Sequence, residues 1–371
     1  MASPQLTDVQ SLRLWLFDDA LPTWWARGAD QVYGGFHESL TPTGDATGAR
    51  KRIRVQARQA FSYATAGAMG WPGPWLPAMR HGLDFLLTRY PRQDGLYRTL
   101  VEVDGSPADE AAFVYDQAFV LLALAAGAEA DPDQAPNLTA RARALLDALH
   151  AFRHPVAGFR EAAGSRPEQS NCHMHMLEAA MAWAELTGDA AWEALADEIV
   201  DLCLKAFIQP QAGALLEFFG PGWERLSGED GARVEPGHQF EWAWLLSRYS
   251  ARRGDDRAAD AARRLLAVGL RGIYGSLQVA MDAMTEDAAP IESTARLWPQ
   301  TEWMKAAAIL AQGDRHRAIE APARALSGYL AHPTAGLWWD KRAADGELLE
   351  EPSPGSSLYH IICAIQEADR P

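Results

Sequence analysis

Pro236-Gly237-His238-Gln239-Phe240-Glu241-Trp242-Ala243-Trp244 reads as the opening of a helix. Pro-Gly stops the preceding chain, and an apolar run begins directly after it. His238 and Glu241 stand three residues apart, so on a helix they share one face. Aromatic rings crowd the same two turns. A base, an acid and flat apolar surfaces so close together fit sugar chemistry at the mouth of a helical barrel.

The surroundings of this stretch recur. Upstream lies a short Gly-led piece, Gly213-Ala214-Leu215-Leu216-Glu217. The same order of events appears at Gly34-Gly35-Phe36 before the helix of Arg54, and at Gly95-Leu96-Tyr97 before Phe113-Val114-Tyr115-Asp116. It appears at Gly158-Phe159 before Asn171-Cys172-His173-Met174-His175, at Ile273-Tyr274-Gly275 before Leu297-Trp298, and at Gly336-Leu337-Trp338 before Leu358-Tyr359-His360. Six such pieces about every sixty residues mean a repeat architecture. Each unit holds two helices and a strand-like hairpin, which predicts about twelve helices. Polar capping repeats, which an open α-solenoid needs at its ends, are not evident. The predicted fold is therefore all-α: a single (α/α)6 barrel over residues 1–371, with short β-hairpins in its connecting loops. An open solenoid is the alternative.

The helices carrying Arg54, Asp116, His175, His238, Glu302 and His360 are apolar nearly all round, as buried helices are. They are assigned to the inner ring, with their polar first turns at the barrel mouth. Segments such as Asp189 to Lys205 and Asp255 to Leu270 carry ordinary charged faces and read as outer. The first helix is predicted from Leu6 to Trp25, and a polar loop runs from Thr41 to Lys51.

A net charge of −15 argues against nucleic acid or an anionic membrane as partner. Cys172, Cys203 and Cys363 form no CxxC pair and read as free thiols of a reducing compartment. No signal sequence and no long apolar span is evident, so a cytoplasmic protein is expected.

Histidines are the leading candidates for chemistry. His173, His175, His238 and His360 stand near inner-helix starts. A lone histidine there is usually a satisfied core residue, but several at one level can form an acid/base pair. Glu241, Glu302, Asp116 and Glu178 are the carboxylates on the same helices, each equally able to be a structural partner. Histidines outnumber any obvious acid/base carboxylate pair, which tilts the chemistry toward moving protons on carbon. Arg54 and Arg58 share a face at i,i+4 and could stabilise an enediolate oxygen or pair with Asp116 or Glu178. Fourteen tryptophans, Trp298 among them, supply rings for sugar faces or for the core. Metal binding is weakly signalled: there is no HExxH, and His173 and His175 diverge on a helix. Walker, GxGxxG and GxSxG motifs are absent.

Six segments, in this order, resemble the N-acylglucosamine 2-epimerase family. They are Arg54-Val-Gln-Ala-Arg58-Gln, Tyr115-Asp-Gln-Ala-Phe119, Asn171-Cys-His-Met-His175-Met-Leu-Glu178, Gly237-His-Gln-Phe-Glu241-Trp, Leu297-Trp-Pro-Gln-Thr-Glu302 and Tyr359-His360. The resemblance implies an (α/α)6 barrel with no metal or organic cofactor. It also implies that His238 and His360 transfer protons from opposite sides of a sugar. By the same resemblance His175 serves ring opening and binding, Glu241 orients or polarises, and Arg54 meets a sugar oxygen. Tyr115, Asn171, Trp298, Glu302 and Arg58 are then expected to line the substrate.

The expected reaction is aldose–ketose isomerisation of a free monosaccharide, D-mannose to D-fructose, by C2 to C1 proton transfer through a cis-enediol. A sugar 2-epimerase of the mannose/glucose or N-acylglucosamine type is the runner-up. A glycoside hydrolase using Asp116 and Glu302, or a non-catalytic sugar-binding protein, stands further back. A homodimer is left open as the assembly.

Overall fold

The computed structural model describes residues 8–164 and 167–370, so the expected helix start at Leu6 lies outside the described residues. Twelve helices follow one another among the described residues. The first, α1, spans residues 9–28 and includes two π-helical stretches, Leu16–Ala20 and Trp24–Gly28. Then come α2 (Ile53–Ala68), α3 (Trp75–Arg89), α4 (Val114–Ala130), α5 (Ala135–Ala148) and α6 (Asn171–Thr187). The second half holds α7 (Ala190–Leu202), α8 (Pro236–Arg253), α9 (Asp256–Leu270), α10 (Leu297–Ile309), α11 (Arg315–Leu330) and α12 (Ser357–Asp369).

The even-numbered helices pack side by side in chain order, and α12 returns to pack on α2. That last contact closes the ring and excludes the open solenoid. The odd-numbered helices form an outer layer, each against an inner neighbour. Sequence pattern explains the division. Helix α4 buries Phe119, Val120, Leu121, Leu122 and Leu124 with no polar stripe between them. Helix α9 buries Ala258, Ala261, Ala262, Leu265 and Val268, the spacing of one face, and exposes its charged residues.

Short antiparallel strands tie the mouth loops together. Lys51–Arg52 pairs with Leu100–Val101, Glu168–Gln169 with Phe218–Phe219, and Ala295–Arg296 with Lys341–Arg342. Ser39–Leu40 pairs with Ser353–Pro354, joining the first repeat to the last.

A repeated side-chain clamp sets the register of each unit. Gln56 accepts from Phe36 N at 2.7 Å and donates to Phe36 O at 2.9 Å. Gln117 does the same with Tyr97, Gln239 with Leu215 and Gln300 with Ala280. In the third unit His173 takes this place: its Nε2 accepts from Phe159 N at 2.9 Å and its Nδ1 donates to Gln169 O at 2.9 Å. Gly158, at φ +74°, lets the backbone approach; a Cβ there would collide with His173 Nε2. In the sixth unit Ser353 bridges the amide and carbonyl of Trp338. Each clamp satisfies one backbone N–H and one backbone carbonyl. The residues two positions after the five inner-helix clamps are Arg58, Phe119, His175, Glu241 and Glu302, and all are buried.

Candidate active site at the barrel mouth

His238 is the third residue of α8, and His360 is the fourth of α12. Both rings lie against Trp298, with centroids 5.1 Å away for His238 and 5.8 Å for His360. Gly237 makes room for that indole, since a Cβ there would run into the Trp298 ring. Each histidine anchors Nδ1 on a carboxylate at 2.8 Å: His238 on Glu217, His360 on Glu302. Nε2 of each ring carries no hydrogen bond among the described residues, which leaves it as the nitrogen available to a ligand.

The two carboxylates differ in what neutralises them. Glu302 is fully buried and ion-paired with Lys305, Nζ to Oε2 2.7 Å. Glu217 has no lysine or arginine partner among the described residues, and Glu235 Oε2 lies a further 3.7 Å from His238 Nδ1. Burial opposes charge on His238, but Glu217 and Glu235 overcome it and push the imidazole up to about 9. At His360 burial acts together with the Arg58 and Lys305 charges, and the imidazole is held well below its ordinary value. Near neutral pH the site therefore holds a charged His238 facing an uncharged His360.

Below this pair three glutamates gather. Burial, and after it the neighbouring Glu302, raise the Glu241 carboxyl above its ordinary value. Burial raises Glu302 too, and Lys305 pulls it back. Burial also opposes charge on Glu178, but His175, Lys305 and the hydrogen-bonded Tyr359 hydroxyl draw it down to about 2. His175 Nδ1 lies 3.6 Å from Glu178 and 3.7 Å from Glu241. Burial holds His175 uncharged, at about 3.

The wall beside them comes from α2, α4 and α6. Arg54 Nε donates to Asp116 Oδ1 at 2.8 Å, and Thr99 Oγ1 donates to Asp116 Oδ2 at 2.6 Å. Arg58 donates to the Tyr115 hydroxyl at 2.7 Å and lies over the Phe119 ring at 4.1 Å. Tyr115 packs edge-on to His175 at 4.9 Å. Asn171 begins α6 one turn before His175; its Oδ1 is shielded from solvent and unpartnered among the described residues.

The expected residues thus converge, with shifts of role. Glu302, expected to line the substrate, is buried behind His360 and anchors it. Arg58 is buried too, with 5% exposed. His173, a candidate by position, is a clamp in the core. Asp116 and Glu302 are fully buried and already paired with Arg54 and Lys305, so neither is free as a hydrolytic acid or base. Sequence reading missed Glu217 as the partner of His238 and Lys305 as the counter-ion of Glu302. It also missed Glu161, which accepts from Tyr115 N and which burial raises to about 7. Glu217 stood in the Gly-led piece before α8, and its place in the repeat was the one available signal.

Residues 34–364 match the N-acylglucosamine 2-epimerase (GlcNAc 2-epimerase) family. The chain belongs to that family. A Rhizobium meliloti (strain 1021) protein named mannose-6-phosphate isomerase is 43% identical over 367 residues, covering 96% of this chain and 95% of the relative. A Thermobifida fusca D-mannose isomerase is 29% identical over 279 residues, covering 70% and 68%. The crystal structure of a D-mannose isomerase superposes with a TM-score of 0.87 at 19% identity, covering 99% of each chain, which shows the shared barrel. This N-acylglucosamine 2-epimerase family member has the family's isomerase/epimerase framework.

Proposed function

We propose that the chain is an aldose–ketose isomerase converting D-mannose to D-fructose. The observation that carries this reading is the unequal neutralisation of Glu217 and Glu302, which leaves His238 charged and His360 uncharged, both against the Trp298 ring. In the open-chain aldose, His360 Nε2 takes the C2 proton as a general base. The C2 electron pair forms the C1=C2 bond, and His238 gives its proton to O1. The cis-enediol then returns: His238 takes the O2 proton, C2=O2 forms, and His360 delivers its proton to C1. Both histidines end as they began.

A 2-epimerase would need the two histidines to exchange roles in the return direction. Fixed and unequal counter-ions resist that exchange, which favours a single carbon base. The two relatives named for isomerising a mannose agree with this choice.

One relative is named for the 6-phosphate, so mannose 6-phosphate is the second reading. Against it, four arginines at or just before inner-helix starts are already charge-compensated by carboxylates. Arg54 pairs with Asp116, Arg52 with Glu38, Arg296 with Asp282 and Arg233 with Glu292. A neutral sugar suits such a rim better than a dianion.

Proton NMR in deuterated water decides among these. Mannose should give fructose carrying deuterium at C1. Glucose appearing without fructose would replace isomerase by epimerase, and turnover of mannose 6-phosphate alone would install the phosphate reading. No exchange with mannose, glucose, N-acetylmannosamine or mannose 6-phosphate would overturn proton transfer on sugars.

A further inference from the structure

Lys305, about two turns after Trp298 on α10, is fully buried. Its Nζ lies 2.7 Å from Glu302 Oε2 and 3.8 Å from the Trp244 ring centroid. The other oxygen of the same carboxylate accepts from His360 Nδ1 at 2.8 Å. Burying an ammonium and a carboxylate together is costly, and well-packed apolar residues often replace such pairs without loss of stability. Packing therefore gives no reason for this pair. The neighbouring histidine does.

We propose that Lys305 is a positioning residue: by pairing with Glu302 it makes an electrically neutral clamp that holds His360 as the Nδ1–H tautomer with Nε2 open. This rests on the reading of His360 as the carbon base. Without the ammonium, the buried Glu302–His360 pair would gain a proton, and the carboxylate oxygen 2.8 Å from Nδ1 favours placing it on the ring. His238 shows that outcome, with Glu217 unneutralised. The groups around His360 are Glu302 and Lys305 on α10, Glu241 and His238 on α8, His175 and Glu178 on α6, Arg58 on α2, and Tyr359 and Cys363 on its own helix. Of these cations, Lys305 alone is bound to the carboxylate that holds the ring.

The test uses the full chain labelled with nitrogen-15 histidine and without substrate, so that it stands or falls apart from turnover. The His360 signals are those lost in His360→Gln. In the native protein at pH 7 they should show a neutral ring protonated at Nδ1. In Lys305→Met the His360 titration midpoint should rise by at least one pH unit. The acid limb of kcat/KM on whichever sugar the native enzyme turns over should rise with it. In Lys305→Met/Glu302→Gln, which removes both charges together and guards against misfolding of the single variant, the midpoint should return to within half a unit of native. A midpoint unmoved in folded Lys305→Met overturns the proposal, and so does a double variant whose midpoint stays a unit or more above native. If the sugars are not turned over while the NMR result holds, only the proposed reaction falls.

Discussion

Glu217 holds His238 by a 2.8 Å hydrogen bond from Nδ1, and the imidazole is the main positive charge in contact with that carboxylate. Glu217→Gln keeps the acceptor and removes the charge. The His238 pKa, pushed up to about 9 by Glu217 and Glu235 against burial, should fall. The basic limb of kcat/KM should then move down by at least one pH unit. Stability follows the same linkage. A histidine raised from 6.5 to about 9 stabilises the fold fully below pH 6.5, and that contribution is lost as pH rises through 9. The native Tm should therefore fall between pH 7 and 10, and the Glu217→Gln variant should lose less over the same range. Thermal scans against pH check this; parallel curves would refute the assignment.

His360→Gln should lower kcat by about 10²–10⁴-fold, the usual worth of a positioned general base. KM should change little, because in the proposed mechanism the ring meets the proton at C2 rather than the hydroxyls that bind. Exchange of the mannose C2 proton with deuterated water should disappear with the activity. Wild-type exchange in a folded His360→Gln variant would remove His360 from the role.

The barrel was legible because its repeat is written in local signals, a Gly-led piece and then a helix start, and those survive without tertiary information. The inner helices began within one or two residues of their expected starts: Ile53 against Arg54, Val114 against Phe113. The π-helical stretches at Leu16–Ala20, Trp24–Gly28 and Cys203–Phe207 left no such mark. The histidine pair was legible through composition and resemblance, but its electrostatics were not. Glu217 is 21 residues from His238 and Glu302 is 58 from His360, so tertiary packing of neighbouring elements, not local sequence, brings each pair together. Lys305 follows Glu302 by three residues, yet only the closed barrel makes that neighbour a buried counter-ion. His173 and His175 looked alike on paper. Two positions along a helix turned one into the core clamp and the other toward the site.

His173→Gln should be nearly neutral, because glutamine is the clamp in four other units and can accept from Phe159 N as His173 Nε2 does. His173→Ala should cost about 2–4 kcal/mol, from a cavity and an orphaned buried amide. The histidine also carries a pH signature. Burial lowers it to about 4, so the unfolded chain takes up its proton first as pH falls below 6.5. Native stability should decline between pH 6.5 and 4, and His173→Gln should remove that part of the decline. Denaturant unfolding at pH 7 and 5 measures both effects; an alanine variant as stable as glutamine would refute the clamp.

Arg54 and Arg58 share a face of α2 but do different work. Arg54 is tied to Asp116 and keeps a partly exposed side chain at the mouth, where its remaining donors can meet sugar oxygens. Arg58 has no carboxylate partner among the described residues, is buried, and lies over Phe119 at 4.1 Å and Tyr359 at 5.1 Å. After burial, its charge is the foremost influence lowering His360. Arg54→Lys should therefore raise KM about 10-fold with kcat within about threefold, the pattern of lost uniform binding. Arg58→Met should instead leave KM within about threefold and raise the acid limb of kcat, since His360 would hold a proton to higher pH. Steady-state kinetics from pH 5 to 10 separate the two, and an Arg58→Met enzyme with an unshifted acid limb and a raised KM would show that Arg58 binds the sugar instead.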